Sequence, residues 1–543
     1  MNQSMPRMAT SFRVPRIHRT FGLGVFGTVL SGISALYACS SSNGSAPPAP
    51  VNDSGSTAST GGVVDSGGAS DGASSESSVA ASSNCNQDGG APPLCSSLPG
   101  TVVYIESADT QETVLDIVGR ELRDSANITL AFELTGSCAV TADVYSGTPL
   151  PTNTDMLYIP STAECPSWTP SDPELTCTTS ASDTTPVDLG IAALFPGSCQ
   201  SGPPAGIGLF IGPIQAYTFV VPSAEFATQQ AITAEEAYYA FGDGPNNPVT
   251  WNGNSEWNLP SQFYLRPASK STLVSTALNI GLTPSQMTLA LADGGTSDGR
   301  QLLASSTDVV TGVTAATSPQ AIGILGSEVY DSLPNRGNGI NVLAFSGFGQ
   351  TSQYFPDSTI TSFDKENVRN GNYSLWSPAV ILAPIGDAGA PSNPTVQYFT
   401  DVILGTPNAT PPGGYVDGGA PIDGLGATVM AGLTPDCAMQ VTRAYDGAPL
   451  VPYTPAAPCT CYFLSKVPSA APLPASCVAC SASSPCEAGA CFNGYCEVTP
   501  PPSVAPTQIT KTGIVYPPAD GGSGGLSVPL PDGGSLALAP LNP

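Results

Sequence analysis

The feature that most limits the folds open to this chain is a strand–helix–strand pattern between residues 101 and 134. Thr101–Ser107 (TVVYIES) and Ile128–Leu134 (ITLAFEL) have the apolar, β-branched composition of strands. The segment between them, Thr110–Arg123, places its large apolar side chains on one face of a helix. Because such strands are joined by a right-handed crossover, the pattern predicts a βαβ unit and a largely parallel sheet.

A second strand-to-helix junction carries the candidate binding residues. Phe263–Leu265 reads as a short buried strand, and a helical pattern runs from Leu273 to Ile280. The junction supplies one guanidinium, one ammonium and three hydroxyl groups, on Arg266, Ser269, Lys270, Ser271 and Thr272. A helix N-terminus offers unpaired N–H groups and an Arg adds a bidentate fork, so this junction predicts a site for a small anion.

The order of parts around this junction resembles the phosphate-binding proteins of ABC importers, members of the type II periplasmic binding protein superfamily. There, a helix ending in Gly, a Trp-containing turn, a strand and an Arg followed by Ser-Gly-Thr form one side of the ligand cleft. The matching residues here are Gly242, Trp251, Arg266 and Ser269–Lys270–Ser271. The family has Gly where this chain has Lys270. That Lys either supplies a second cation or blocks close approach of the backbone.

The resemblance also implies ligand groups in the loops after the first two strands. The corresponding positions are Ser107, Thr110 and Ser137. The alternative for Thr110, or for Asp109 before it, is that it caps the following helix.

The next strand end of the family carries an Asp that accepts the proton of a hydrogenphosphate. This chain has Ala192 or Ala193 in that slot, and Asp188 just upstream is the one substitute. A dedicated phosphate site without the acceptor is therefore questionable.

These patterns predict an α/β chain: a two-lobe type II periplasmic-binding-protein-like fold plus a small disulfide-rich C-terminal module. The two-lobe domain is expected over 97–405, with lobe 1 from about 97–221 and 346–405 and lobe 2 from about 222–345. The remaining expectations are a linker at 406–427, a Cys-rich module at 428–500 and a disordered tail at 501–543.

The N-terminus predicts export. A basic region precedes an apolar run that ends in Leu36-Tyr37-Ala38-Cys39, which favours a signal peptide over a spanning helix. The small residue before Cys39 resembles a bacterial lipobox, in which the Cys is acylated. Residues 1–39 would then be the lipoprotein signal and 40–96 a disordered Ser/Gly/Ala/Pro tether. The expected location is the cell envelope, at the outer membrane or cell surface; a plain signal peptide with an incidental Cys is the alternative.

Cysteine usage favours disulfides. Besides Cys39 there are six cysteines before residue 200 and eight after residue 436, and both numbers are even. Cys477-x2-Cys480 followed by three further cysteines could suggest zinc, but in an exported chain disulfides are the better interpretation. No metal site or cofactor is predicted.

Composition excludes several functions. The chain has 15 basic and 42 acidic residues, and beyond Cys39 the balance is 11 against 42, a net charge of −31. Nucleic acid is therefore a poor partner. The one histidine, His18, lies in the predicted signal, so Ser-His-Asp and Cys-His catalysis and His-ligated zinc are excluded from the processed chain. A hydrolase with a carboxylate pair remains the third hypothesis, without a convincing acid pair.

The sequence thus predicts a non-enzymatic, lipid-anchored solute-binding protein that closes two lobes over a small phosphate-like anion. Arg266 is its expected charge partner, with a structural ion pair as the alternative role of that residue. The resemblance implies an ABC permease as a partner. The alternative function is an interaction or scaffold lipoprotein whose cleft is degenerate.

Overall fold

The structure, a computed structural model, describes residues 91–497 apart from 182, 184, 243–256, 291–295, 297, 335, 417–418, 469–471, 482, 485 and 488, together with 527–529 and 535–537. The predicted signal peptide with Cys39, residues 40–90 of the predicted tether, Trp251 and most of the predicted tail lie outside these residues. Among the described residues, no helix combines the length and hydropathy needed to cross a membrane.

Nineteen strands and twelve α-helices are described. The strands are β1 (Thr101–Ala108), β2 (Ile128–Thr135), β3 (Asp155–Tyr158), β4 (Leu175–Thr178), β5 (Leu189–Ala192), β6 (Ile207–Pro222), β7 (Ala231–Thr233), β8 (Phe263–Leu265), β9 (Gln301–Leu302), β10 (Ile322–Gly326), β11 (Ile340–Val342), β12 (Ala344–Ser346), β13 (Trp376–Pro384), β14 (Val441–Thr442), β15 (Val451–Pro452), β16 (Ala490–Phe492), β17 (Tyr495–Glu497), β18 (Ser527–Pro529) and β19 (Ser535–Ala537). The α-helices are α1 (Glu112–Ala126), α2 (Ser137–Ser146), α3 (Ser223–Phe226), α4 (Ala234–Gly242), α5 (Ser271–Asn279), α6 (Pro284–Thr288), α7 (Ser306–Ala315), α8 (Ser327–Ser332), α9 (Glu366–Arg369), α10 (Pro394–Ile403), α11 (Gly424–Met430) and α12 (Thr460–Lys466).

One large sheet runs through both lobes, in the order β4-β3-β2-β1-β5-β13-β6-β10-β8-β9, with β11 also paired to β6. In lobe 1, β1 is parallel to both β2 and β5. In lobe 2, β8 is parallel to both β10 and β9. Strand β6 joins the two halves, because Ile207–Ala216 pairs with β13 and Tyr217–Val220 pairs with β10.

The predicted βαβ unit is confirmed. Strands β1 and β2 pair in parallel from Thr101↔Ile128 onward, and α1 connects them. The helix buries the expected apolar face: Val114, Leu115, Val118 and Leu122. It ends at Asn127, whose left-handed φ of 51° is a common helix-ending conformation for Asn.

Separate hydrophobic cores define the two lobes, which confirms the predicted α/β two-lobe class. Lobe 1 has a core on each face of its sheet, one containing α1 and α10 side chains and the other containing α2 side chains. The main core of lobe 2 surrounds Phe219, Phe263 and Phe345. Val368, Tyr373 and Leu375 belong to this second core, so residues that were assigned to lobe 1 in the range 346–405 pack in lobe 2 up to the start of β13.

The domain starts before residue 97. Cys95 is fully buried, forms a disulfide with Cys177, and follows a bridge between Leu94 and Thr178. The last residues of the predicted disordered tether are therefore an ordered part of lobe 1. Within the predicted tail, β18 and β19 pair as a hairpin.

The C-terminal segment packs on the two-lobe body instead of following a free linker. Ala427, Ala431 and Leu433 lie in a lobe 1 core, whereas Met439 lies in the lobe 2 core. Thr434 exchanges two backbone hydrogen bonds with Ile214 of β6, 2.7 and 3.0 Å long. Residues from about 424 onward thus contribute apolar area to both lobes, a role that the predicted linker and Cys-rich module did not include.

Disulfides follow the predicted segregation. Six pairs with both cysteines described stay within the N-terminal or the C-terminal group: Cys95–Cys177, Cys138–Cys199, Cys437–Cys459, Cys461–Cys477, Cys480–Cys491 and Cys486–Cys496. Cys480, Cys486 and Cys496 lie close enough together to suggest a metal site, but each is already used in a disulfide.

Substitution of Arg443 tests whether the C-terminal segment contributes to the stability of the two-lobe domain. Its buried guanidinium donates to Asn279 Oδ1 (2.8 Å), Trp376 O (3.2 Å) and Ser374 O (2.8 Å). Arg443→Met leaves these acceptors unsatisfied, so we expect the free energy of unfolding in urea to fall by about 2–5 kcal/mol. Lys466→Met, at a half-exposed ion pair with Asp423, is the control and should change stability by less than about 1 kcal/mol. Equal small losses would show that residues 434–453 do not support the two lobes.

Candidate functional site

The candidate site lies where strand-to-helix junctions of the two lobes meet. In lobe 1, β1 leads through the 3-10 turn Asp109–Gln111 into α1, and β2 leads into α2. In lobe 2, β8 leads into α5. The lobes touch here: Cys138 N–H donates to Ser269 O at 3.3 Å, and a Cβ on Gly136 would lie 2.6 Å from that same oxygen. Gly136 is thus required for the close approach of the β2–α2 turn to the β8–α5 turn.

Arg266 stands at the end of β8 and is almost fully buried, with 1% of its side chain exposed. Its Nη1 donates to Ser306 Oγ at 2.6 Å, and its Nη2 donates to Ala304 O at 2.8 Å and to Asp109 Oδ2 at 2.5 Å. The first two partners belong to lobe 2 and fix the plane of the guanidinium. Asp109 comes from lobe 1, so the ion pair joins the lobes.

Lys270 provides a second cation at the same carboxylate. Its Nζ lies 3.2 Å from Asp109 Oδ2 and also donates to Thr135 O of lobe 1. Of the two roles considered for Lys270, the structure shows the cation. Asp109 is not the helix cap that its position allows: its carboxylate faces Arg266 and Lys270, and α1 begins without a side-chain cap.

Two buried hydroxyl groups have no hydrogen-bond partner in the described part of the chain: Thr110 Oγ1 of the predicted site and Ser327 Oγ at the start of α8. Because buried hydroxyls are normally satisfied, these two are the donors best placed to gain from a bound polar ligand. The Ser271 hydroxyl interacts with the phenol of Tyr217, whose OH donates to Ala193 O at 2.6 Å.

The other predicted hydroxyl residues have internal partners or offer only backbone. Ser137 Oγ accepts from Ala193 N–H at 3.0 Å, and Ser107 Oγ donates to Ala108 O at 3.2 Å. Ser269 presents its carbonyl to the other lobe, and Thr272 is buried on the first turn of α5.

The slot for a proton-accepting Asp is apolar, as expected from Ala192 and Ala193, which are both fully buried. Asp188 does not fill it. That residue precedes β5 and therefore lies at the strand end opposite to Ala192, where its carboxylate accepts from Tyr104 N–H at 2.8 Å.

A hydrogen-bond chain that the sequence did not indicate connects the lobes next to the junctions. Gln111 Nε2 of lobe 1 donates to Gln215 Oε1 on β6 at 3.1 Å, and Gln215 Nε2 donates to Glu328 Oε1 on α8 at 2.8 Å. Burial is the main cause that raises the pKa of Glu328 to about 8, and the Asp331 and Asp109 carboxylates add to it. This carboxyl group is thus largely protonated at neutral pH.

Comparisons with known proteins give the following. No protein-family model matches the chain, and no curated protein matches it. Among solved structures, it is similar to a putative phosphate ABC transporter substrate-binding protein with bound phosphate from Clostridium perfringens (TM-score 0.37, 11% identity, 62% of this chain and 99% of that chain covered). It is also similar to an ABC-type phosphate transport receptor from Vibrio cholerae (TM-score 0.32, 14% identity, 52% of this chain and 88% of that chain covered). A third similar structure is the reduced form of the OxyR regulatory domain from Pseudomonas aeruginosa (TM-score 0.28, 10% identity, 52% of this chain and 89% of that chain covered). At these scores and identities the likenesses assign neither a family nor a ligand to this chain.

Glu328→Gln tests the buried carboxyl group. Because folding raises the pKa of Glu328 above its ordinary value of 4.5, its contribution to stability is fully present below pH 4.5 and is lost as the pH rises through 8. The loss is at most about 1.4 kcal/mol for each pH unit. Glu328→Gln should therefore become more stable relative to the wild type from pH 4.5 to 8, measured by urea denaturation at several pH values. A difference that stays constant with pH would contradict the assignment.

Proposed function

We propose that this chain is an exported solute-binding protein that captures a small oxyanion between its two lobes. One observation carries the proposal: the cleft already holds a carboxylate oxygen between a buried guanidinium and an ammonium, at 2.5 and 3.2 Å. Charge-assisted hydrogen bonds of this kind are formed with both carboxylate and phosphate groups. A phosphate-like anion is therefore the proposed ligand class.

The surroundings of Arg266 support binding over a merely structural role. Its Nε and the hydroxyl of Thr110 are buried without hydrogen-bond partners among the described residues. A ligand oxygen that reaches either group would satisfy a donor that the protein itself leaves unused. The negative net charge of the chain does not oppose this, because salt screens charges beyond about 8 Å at physiological ionic strength.

Export and anchoring are part of the same proposal. The N-terminal pattern and the disulfides are those of an exported chain, and acylation at Cys39 would tether it to the cell envelope, at the outer membrane or cell surface. An ABC permease is the proposed partner if the protein delivers its anion for import. A lipid anchor in the outer membrane would separate it from such a permease, so capture at the surface is the narrower proposal.

A scaffold function is the second candidate, and a specific contact favours it. The buried carboxylate of Asp446 accepts from Phe195 N–H at 3.1 Å and Ser198 Oγ at 2.6 Å in lobe 1, and from Ser377 Oγ on β13. The C-terminal segment therefore fastens lobe 1 to a strand between the lobes. A cleft held in this way would open less than that of a freely hinged receptor.

Arg266→Gln decides between the two functions. Titration calorimetry with inorganic phosphate, sulfate and acetate should show binding to the wild type, and Arg266→Gln should weaken it at least about 100-fold, because the bidentate charge-assisted donor is lost. Arg336 lies in the loop after α8, and its guanidinium pairs with Asp331. The variant Arg336→Gln is the charge-matched control and should bind as the wild type does. The absence of heat from every anion with all three proteins, and also with a variant in which Asp109 no longer occupies the two cations, would favour the scaffold.

A further inference from the structure

The anion position of the cleft is taken by a side chain of the protein itself. Asp109 lies in the 3-10 turn after β1, and 24% of its side chain is exposed. Its Oδ2 accepts a hydrogen bond from Arg266 Nη2 and lies 3.2 Å from Lys270 Nζ. A carboxylate oxygen in this position has the charge and the hydrogen-bonding capacity that the proposed ligand would bring.

An incoming anion cannot use the same donors while Asp109 remains. Both N–H groups of Arg266 Nη2 are engaged, one with Asp109 and one with Ala304 O. Lys270 is shared between Asp109 and Thr135 O. A second negative charge placed beside Asp109 would also be repelled at short range in a largely buried site.

We propose that Asp109 is an intramolecular competitor for the anion site, which the ligand must displace in order to bind. This inference rests on the proposed function and names a residue that sets the affinity of the cleft for the anion. Because Asp109 is tethered close to the site, it acts at an effective concentration in the millimolar range or above. The apparent affinity for the anion is therefore reduced in proportion to the fraction of time that the site is free of Asp109.

The same contact closes the lobes when no ligand is bound. Asp109 belongs to lobe 1, whereas Arg266 and Lys270 belong to lobe 2, so their ion pairs act across the cleft. The amide of Cys138, which donates to Ser269 O across the same gap, is a suitable reporter of this closure. Its hydrogen bond can be followed by hydrogen exchange without any ligand.

The experiment compares the wild type, Asp109→Ala and Asp387→Ala. Asp387 is an exposed acid in the turn after β13 and controls for the loss of one negative charge. Each protein is titrated with inorganic phosphate, sulfate and acetate by calorimetry, and amide exchange at residues 136–140 is measured in the absence of anions. Asp109→Ala should bind the anion at least about tenfold more tightly and exchange faster at these amides, and Asp387→Ala should match the wild type.

The outcomes separate this inference from the proposed function. Anion binding to the wild type with equal or weaker binding to Asp109→Ala overturns the competitor role and leaves the proposed function standing. No binding of any anion to any of the three proteins overturns both. Binding to Asp109→Ala alone supports the inference in its strongest form, in which the competitor shuts the wild-type site.

Discussion

The Arg266–Asp109 ion pair is the contact on which the arrangement of the two lobes depends. A guanidinium with 1% of its side chain exposed needs a nearby anion, because an unpaired charge in this position would cost several kcal/mol. Among the described residues of its own lobe, Arg266 donates hydrogen bonds to neutral acceptors, Ser306 Oγ and Ala304 O. The compensating charge comes from lobe 1, so burial of Arg266 and closure of the cleft are one event. In the closed form, Asp109 supplies the negative charge that the buried guanidinium needs.

Two further links act in parallel with this pair. The Gln111–Gln215–Glu328 chain runs from lobe 1 through β6 to lobe 2, and its last member is a carboxyl group that burial keeps protonated. On the C-terminal segment, Asp446 binds lobe 1 and β13, while Arg443 binds α5 through Asn279. The C-terminal segment thus contacts both lobes beside the strands that join them. The Cys437–Cys459 disulfide closes the loop that carries both Arg443 and Asp446, so it restricts the unfolded form of the segment that holds the lobes.

The sequence predicted the parts of this architecture that depend on local pattern. The period of apolar residues predicted α1, and the β8–α5 junction was found because Arg266 and its hydroxyl neighbours are close in the chain. Asp109 was visible only as a helix cap, since its partner is 157 residues away and no local signal records such a pairing. Gln215 lies within an apolar strand and Glu328 at the start of a six-residue helix, so neither stood out. The packing of residues 424–453 on both lobes was not predictable, because its contacts, such as Thr434 with Ile214 and Asp446 with Phe195, join residues more than 200 positions apart.

Two differences from the phosphate-binding pattern make the site more positive, and the Asp109 carboxylate offsets one of the two charges. This chain lacks the acid at Ala192 and Ala193, has Lys270 in place of Gly, and has Asp109 facing both cations. A proton acceptor at the strand end would discriminate between a protonated and a fully ionised oxyanion by repelling the latter. Here that position is apolar, and the carboxylate nearest to the cations is itself held by them. A ligand that displaces Asp109 would meet two cations and no fixed acceptor for its proton, so this cleft would select anions by charge and size and not by their protonation state.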